Sequence, residues 1–229
     1  MFVPPDYRPL DPQWARETVR RYPLAMLITN GAEAPFATHL PIIPADSLDE
    51  GTGETGLVGV SLLGHMNRLN PHWAALAAGR PGLLVFQGPN AYVSPTVYQT
   101  TPAAPTWNFT AVHLHGTPEP IESRDETLHV VKATVTAYER DHGTRWDMTD
   151  SIGYFKQIVP GVGAFRFRVT AAEGMFKLSQ EKSETIRQAV ADSFASATSG
   201  CSHAVADTMC RFGIAAEPRL PAVPRLDSG

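Results

Sequence analysis

The chain has little cysteine and little charge of either sign. Only Cys201 and Cys210 occur among 229 residues, too few for a disulfide framework, and no Cys-x-x-Cys-His run could tether a haem covalently. Charged residues are 18% of the chain and the formal net charge is −4, so the basic surplus of a dedicated nucleic-acid binder is missing. No apolar run approaches the ~18 residues of a spanning helix. The opening residues, Met1-Phe2-Val3-Pro4-Pro5-Asp6, lack the charged-then-apolar layout of a secretory signal. There is no Gly-x-Ser-x-Gly elbow, no P-loop and no dinucleotide-binding glycine fingerprint. These absences leave a cytoplasmic protein without nucleic-acid or membrane partners. Apolar mass, in contrast, is ample: 43% of residues, enough for a sizeable core.

Periodicity and caps predict the elements. Asp11-Pro12 opens a helix that runs to about residue 21. Residues 24–29 and 35–43 read as a hairpin around Asn30-Gly31. Residues 57–63 read as the next strand, and Asn70 as N-cap with Pro71 opens a short helix, stopped at Gly79. Residues 82–87 read as a buried strand that 90–93 continue. Residues 107–116 alternate, with Trp107, Phe109, Ala111, His113 and His115 on one face. Ser123-Arg124-Asp125-Glu126 is a capping box for the longest helix, 124–142, whose stripe is Leu128, Val131, Val135 and Tyr138. Residues 152–158 form a further helix. Residues 162–170, with Arg166 and Arg168 on one face, and 175–178 form two strands. Helices follow at 183–197 and 203–212. Six or seven short strands with few helices between them predict a mostly β, α+β protein, a small antiparallel barrel decorated by helices. One domain is expected over 1–217, with a loose proline-rich tail at 218–229.

The chemistry centres on Gly64-His65-Met66-Asn67-Arg68. His65 is placed in the connection after the 57–63 strand, behind a glycine that lets the backbone pass close to something. An imidazole there, with the Arg68 guanidinium nearby, meets the needs of a haem site: an axial nitrogen ligand and a cation for propionates. The plainer alternative is a capped turn whose histidine bonds the backbone. His113-x-His115 offers a two-ligand edge for a bare metal, with His39, His65 or His72 as a third, or else a pair of packed strand histidines. Lys177, Ser179, Gln180, Lys182 and Ser183 precede a helix and suit a phosphate or carboxylate; an ordinary cap at Ser183 with solvated lysines explains them equally. Tyr92, Trp107 and Phe109 suit either a wall for a planar ring system or plain core packing.

Five ordered stretches carry a family resemblance. Residues 64–73 (Gly-His-Met-Asn-Arg-Leu-Asn-Pro-His-Trp), 88–95 (Gly-Pro-Asn-Ala-Tyr-Val-Ser-Pro), 105–109 (Pro-Thr-Trp-Asn-Phe), 112–116 (Val-His-Leu-His-Gly) and 177–180 (Lys-Leu-Ser-Gln) resemble the PaiB-type, FMN-binding split-barrel family. The resemblance implies a homodimer of split β-barrels with cofactor sites near the subunit interface. One branch is similar in length and in the Gly-His-Met histidine: the haem-dependent piperazate synthases of natural-product biosynthesis. That likeness puts the axial ligand of a non-covalent haem b on His65. Arg68, Tyr92, Trp107, Lys177, Ser179, Gln180 and Lys182 become candidate cofactor contacts, and the lysine segment would hold the phosphate if the cofactor were FMN. The resemblance implies dehydrative ring closure of L-N5-hydroxyornithine, a small amino-acid-derived hydroxylamine, to L-piperazic acid by N–N bond formation. Arg166, Arg168, Lys177 and His113 are candidates to recognise that substrate. The alternatives are an FMN-binding PaiB-type regulator, a flavin-dependent oxidoreductase, or haem degradation.

Overall fold

The computed structural model describes residues 1–218; the tail expected beyond Pro218 lies outside the described residues. Helices occupy Pro12–Arg21 (α1), Pro71–Leu76 (α2), Arg124–Asp141 (α3), Ile152–Ile158 (α4), Glu184–Ala195 (α5) and Gly200–Arg211 (α6). Strands occupy Leu24–Thr29 (β1), Phe36–Pro44 (β2), Ser61–Asn67 (β3), Gly82–Val93 (β4), Thr106–Ile121 (β5) and Val162–Lys177 (β6). The strands close into a barrel in the order β1-β2-β3-β6-β5-β4. The chain falls into two compact units. One comprises Met1, Leu10–Gln87 and Val112–Gly174; the other comprises Phe2–Pro9, Gly88–Ala111 and the residues from Met175 on.

In the first unit, Asn30-Gly31 and the following residues return β1 onto β2, pairing Leu24 with Pro41 and Thr29 with Phe36. β2 continues onto β3 with Ile42 opposite Gly64, and β3 lies antiparallel to β6 with His65 opposite Ala164. Alternation sends Leu27, Ile42, Leu62, Leu84, Phe86, Leu114, Phe165 and Phe167 inward, all fully buried. At about 1.5–3 kcal/mol for each fully buried aliphatic or aromatic side chain, this set dominates the favourable side of folding. Asp11 caps α1 by accepting the Gln13 amide at 2.8 Å, and Trp14, Ala15, Thr18 and Val19 face the core.

In the second unit, α5 packs on α6, and Val190, Ala191, Val205 and Met209 are fully or almost fully buried. Ser183 caps α5 through the Ile186 amide.

The structure differs from the sequence reading in five places. The strand expected at 57–63 begins at Ser61, because Gly59 sits at φ +90° and turns the chain just before it. His65 therefore lies within β3, not in a connection. The strands expected at 162–170 and 175–178 are one continuous β6, and 82–87 and 90–93 are one β4 despite Pro89, so the described residues form six strands. On α3 the buried positions are Thr127, Val130, Val131 and Thr134. Two threonines, which bond carbonyls one turn back, take inward positions that a purely apolar count overlooks. Finally, α6 begins at Gly200, one turn or so ahead of the expected start at 203.

Candidate functional site

His65 lines a cleft of about 540 Å³ together with Thr38, His39, Met66, Asn67, Asn70 and Ile158. The cleft lies wholly within the first unit, where β2 and β3 run side by side and Gly161-Val162 enters β6. Gly64 is required here. A Cβ at that position would lie 2.5 Å from Cζ of Phe165 and 2.7 Å from Cδ1 of Ile42, so only glycine lets β3 press onto the barrel core next to the histidine. Burial pushes the His65 pKa below its ordinary 6.5, so the ring is neutral at pH 7. A neutral imidazole carries one N–H and one lone pair. Its Nδ1 is buried and, among the described residues, has no hydrogen-bond partner, a condition that ordinarily costs about 1–3 kcal/mol. The His65 ring lines the cleft and is neutral, which fits a ligand to iron, whose bond requires a nitrogen lone pair. The unpartnered Nδ1 is turned inward, away from solvent.

Arg68 is held differently from expectation. Its Nε donates to the Val162 carbonyl at 2.9 Å and its guanidinium lies 5.1 Å from the centre of the Trp73 ring. Arg68 thus staples the β3 exit to the start of β6, helped by its own amide, which donates to Gly161 at 2.9 Å. Among the described residues the cleft lining contains no arginine or lysine. Its uncharged donors are Thr38, Asn67 and Asn70.

His72, absent from the expected site apart from its weighing as a metal ligand, is organised behind the cleft. It is fully buried and stacks on Phe36 with ring centres 5.2 Å apart and planes 17° from parallel. Nε2 lies 2.9 Å from the Thr29 hydroxyl and Nδ1 2.9 Å from the Thr38 hydroxyl. Both nitrogens are engaged, which leaves none for a metal. His115 bonds Glu173 at 3.0 Å. Among the described residues no group of three or more His, Cys, Asp and Glu side chains could hold a metal ion, so the bare-metal reading of His113-x-His115 finds no third ligand.

Also in the first unit, His113 is half-buried and burial pushes its pKa down. Arg166 pairs with Glu126 at 3.2 Å on the barrel exterior, and Arg168 is exposed opposite Ser61.

The second unit holds the other expected residues. Tyr92 and Trp107 meet edge to face at 6.0 Å and are about half-exposed. The Lys177 amine donates to the Thr106 hydroxyl at 2.5 Å and lies over the Tyr7 ring; Lys182 lies over Tyr98. Ser179 is buried at φ +66°, its hydroxyl exchanging hydrogen bonds with the Asn108 amide at 3.0 and 3.1 Å. Gln180 turns back on its own loop, accepting from the Leu178 amide and donating to the Phe176 carbonyl. His65 and Arg68 are thus gathered in one unit, and the lysine segment with the aromatic pair in the other. The residues that sequence reasoning missed are Thr38, Asn67 and Asn70. The cap spacing Asn70-Pro71-His72 was the one available signal for them.

The arrangement has relatives. Residues 1–171 match a family described as "Putative FMN-binding domain". The chain is 28% identical over 187 residues to "Protease synthase and sporulation protein PAI 2" of Bacillus subtilis, a match covering 81% of this chain and 84% of that protein. Among solved structures, the conserved hypothetical protein Rv2991 of Mycobacterium tuberculosis superposes with a TM-score of 0.53 at 14% identity, covering 80% of this chain and 94% of its own. The flavocytochrome Anf3 of Azotobacter vinelandii superposes with a TM-score of 0.50 at 14% identity, covering 72% and 67%. The two structures share the split-barrel fold.

Proposed function

We propose, for a chain that belongs to this FMN-binding domain family and has a PaiB-type relative, that it is a haem-dependent piperazate synthase with His65 as the axial ligand. The observation that carries the proposal is a half-buried, neutral imidazole, His65, that lines a cleft and makes no hydrogen bond through its inward Nδ1. That a flavocytochrome shares the fold is in keeping with a cofactor cleft. Haem held there by His65 would supply a Lewis-acidic iron.

The protein's own residues then have distinct tasks. Burial keeps His65 unprotonated and ready to bind, and the Gly64–Phe165 packing fixes where its ring stands. Thr38, Asn67 and Asn70 supply neutral donors to the bound groups. Arg166, Arg168 and His113, in the same unit as the cleft though outside its lining, are the candidates for the substrate's carboxylate and amines. In the reaction the α-amine of N5-hydroxyornithine attacks N5, so an N–N bond forms as the N5–O bond breaks. The hydroxyl leaves as water with a proton from the attacking amine, and no external oxidant or reductant is consumed. Holding a flexible chain with its two nitrogens in attack geometry contributes much of the acceleration.

The second reading is an FMN-binding regulator or flavin-dependent oxidoreductase, favoured by the family's description, with Lys177 and Lys182 at the phosphate. Absorption of protein purified after haem-supplemented expression separates the two. A Soret band that His65→Ala abolishes, together with loss of cyclisation, is expected; flavin bands with no Soret band overturn the haem reading. We further propose a cytoplasmic homodimer that binds neither nucleic acid nor membrane. Light scattering at twice the chain mass of 24.9 kDa checks the dimer.

A further inference from the structure

The cleft beside His65 contains a hydroxyl whose hydrogen has no acceptor among the described residues, and the chain Thr29–His72–Thr38–Asn70 shows why. His72 is fully buried and burial lowers its pKa, so its ring has one N–H and one lone pair to share between two threonines. Thr29 is 5% exposed, and among the described residues His72 is its hydroxyl's one hydrogen-bond partner. If Nε2 carried the ring hydrogen, the Thr29 O–H would be buried with no acceptor, which is costlier than an idle lone pair. Thr29 therefore donates to Nε2, the ring hydrogen resides on Nδ1, and Nδ1–H donates to Thr38 Oγ1 at 2.9 Å.

Asn70 adds a second donor. Its Oδ1 accepts the His72 backbone N–H at 3.0 Å, so Nδ2 is the atom that faces Thr38 Oγ1 at 3.4 Å. With both lone pairs of Thr38 taken, its own hydrogen is left on the cleft wall. Asn67 is oriented alike: its Oδ1 accepts the Leu69 amide at 2.8 Å, which leaves Nδ2 as a donor to the same cleft.

We propose that Thr38 is a binding residue that donates from its hydroxyl to an anionic oxygen of the cofactor, and that His72 is the positioning residue that fixes Thr38 as a donor. The proposal rests on the reading of this cleft as the cofactor site. The shared chemistry is an acid group, a haem propionate or the FMN phosphate, met by neutral donors where the lining has no arginine or lysine.

The first arm of the test needs no cofactor. Nitrogen-15 spectra of histidine-labelled, ligand-free protein are expected to show His72 as the Nδ1–H tautomer at neutral pH; an Nε2–H tautomer or an imidazolium overturns the proposal. The second arm titrates wild type, Thr38→Ser and Thr38→Val with haem b, read by the Soret band, and with FMN, read by fluorescence quenching. The valine variant is expected to bind its cofactor about tenfold or more weakly, and serine within a few-fold of wild type. The cofactor that shows the loss identifies the acid group. Equal binding by valine and wild type overturns the proposal, provided thermal melts show both folded.

A wild type that binds neither cofactor removes the cofactor reading instead. Inorganic phosphate then serves as the probe. Shifts of the Thr38 and Asn67 amide resonances in wild type but not in Thr38→Val support the donor, and shifts in both or in neither overturn it.

Discussion

Gly64 and Phe165 face each other across the β3–β6 ladder so closely that a single added carbon would sit 2.5 Å from the phenyl ring. The residue that carries His65 toward the cleft is thus locked by contact with the largest side chains of the core. Gly64→Ala is expected to lower stability by about 1–3 kcal/mol, the usual cost of overpacking. It should also weaken cofactor binding by displacing the neighbouring imidazole. Thermal melts and a haem titration on the same variant check both effects; an unchanged melting temperature would mean that β3 has room to move.

Acid should destabilise the protein through three wholly or partly buried histidines. His65, His72 and His113 all have folded-state pKa values below the ordinary 6.5, each chiefly because burial disfavours the imidazolium. Between those lowered values and about 6.5 the unfolded chain binds more protons than the folded one, so stability rises with pH there. The full contribution is present above about pH 6.5 and is lost as pH falls below it. Urea unfolding from about pH 8 down to about pH 5 is expected to show this slope, made shallower by His65→Gln.

Much of this architecture was legible in the sequence, and the misses have physical causes. The Asn70-Pro71 cap, the Ser123 capping box and the Asn30-Gly31 hairpin are local devices, and each stands where the sequence puts it. The glycine before His65 was also readable as a close approach, although its partner, Phe165, lies about a hundred residues away and has no local signature. The β3 boundary was misplaced because Leu57 and Val58 continue the apolar run while Gly59, at positive φ, breaks the backbone beneath it. Arg68 was readable as a cation but not as a staple, since its acceptor is a backbone carbonyl on β6. Thr38 escaped notice because a single threonine on a strand says nothing until His72 is behind it.

Tyr138 ties α3 to the barrel. Its hydroxyl donates to the Ile42 carbonyl at 3.1 Å, and burial pushes its pKa up to about 12. Tyr138→Phe is expected to cost about 0.5–1.5 kcal/mol, the net value of one such bond. Because the raised pKa belongs to the neutral form, wild-type stability should hold below about pH 10 and fall as pH rises from there toward about 12. The phenylalanine variant should lack that part of the alkaline loss, which denaturant titrations at high pH can read.

In the second unit the Asn108–Ser179 pair is fully buried and mutually satisfied. It also holds Ser179 at φ +66°, a conformation that non-glycine residues adopt only when their surroundings compel it. Asn108→Ala leaves the Ser179 hydroxyl buried without that partner and is expected to cost about 1–3 kcal/mol. Ser179→Gly in the same background should recover part of the loss, since glycine relaxes the backbone and removes the stranded hydroxyl. Additive losses in the double variant would show that the two residues act independently.

Arg166 offers a way to separate recognition from stability. Its ion pair with Glu126 spans 3.2 Å between side chains that are 41% and 47% exposed. Pairs of that kind contribute about 0–1 kcal/mol, because water screens the charges and two long side chains lose rotamer freedom. Arg166→Gln should therefore leave the melting temperature nearly unchanged. If Arg166 meets the substrate carboxylate, the same variant raises the KM for N5-hydroxyornithine and changes kcat little, since the lost contact is made before and during the chemical step alike. Glu126→Gln supplies the control: it frees the guanidinium without removing it, so KM should hold or fall. A KM that stays constant in Arg166→Gln would assign carboxylate recognition elsewhere, with Arg168, exposed on the same strand, as the next residue to vary.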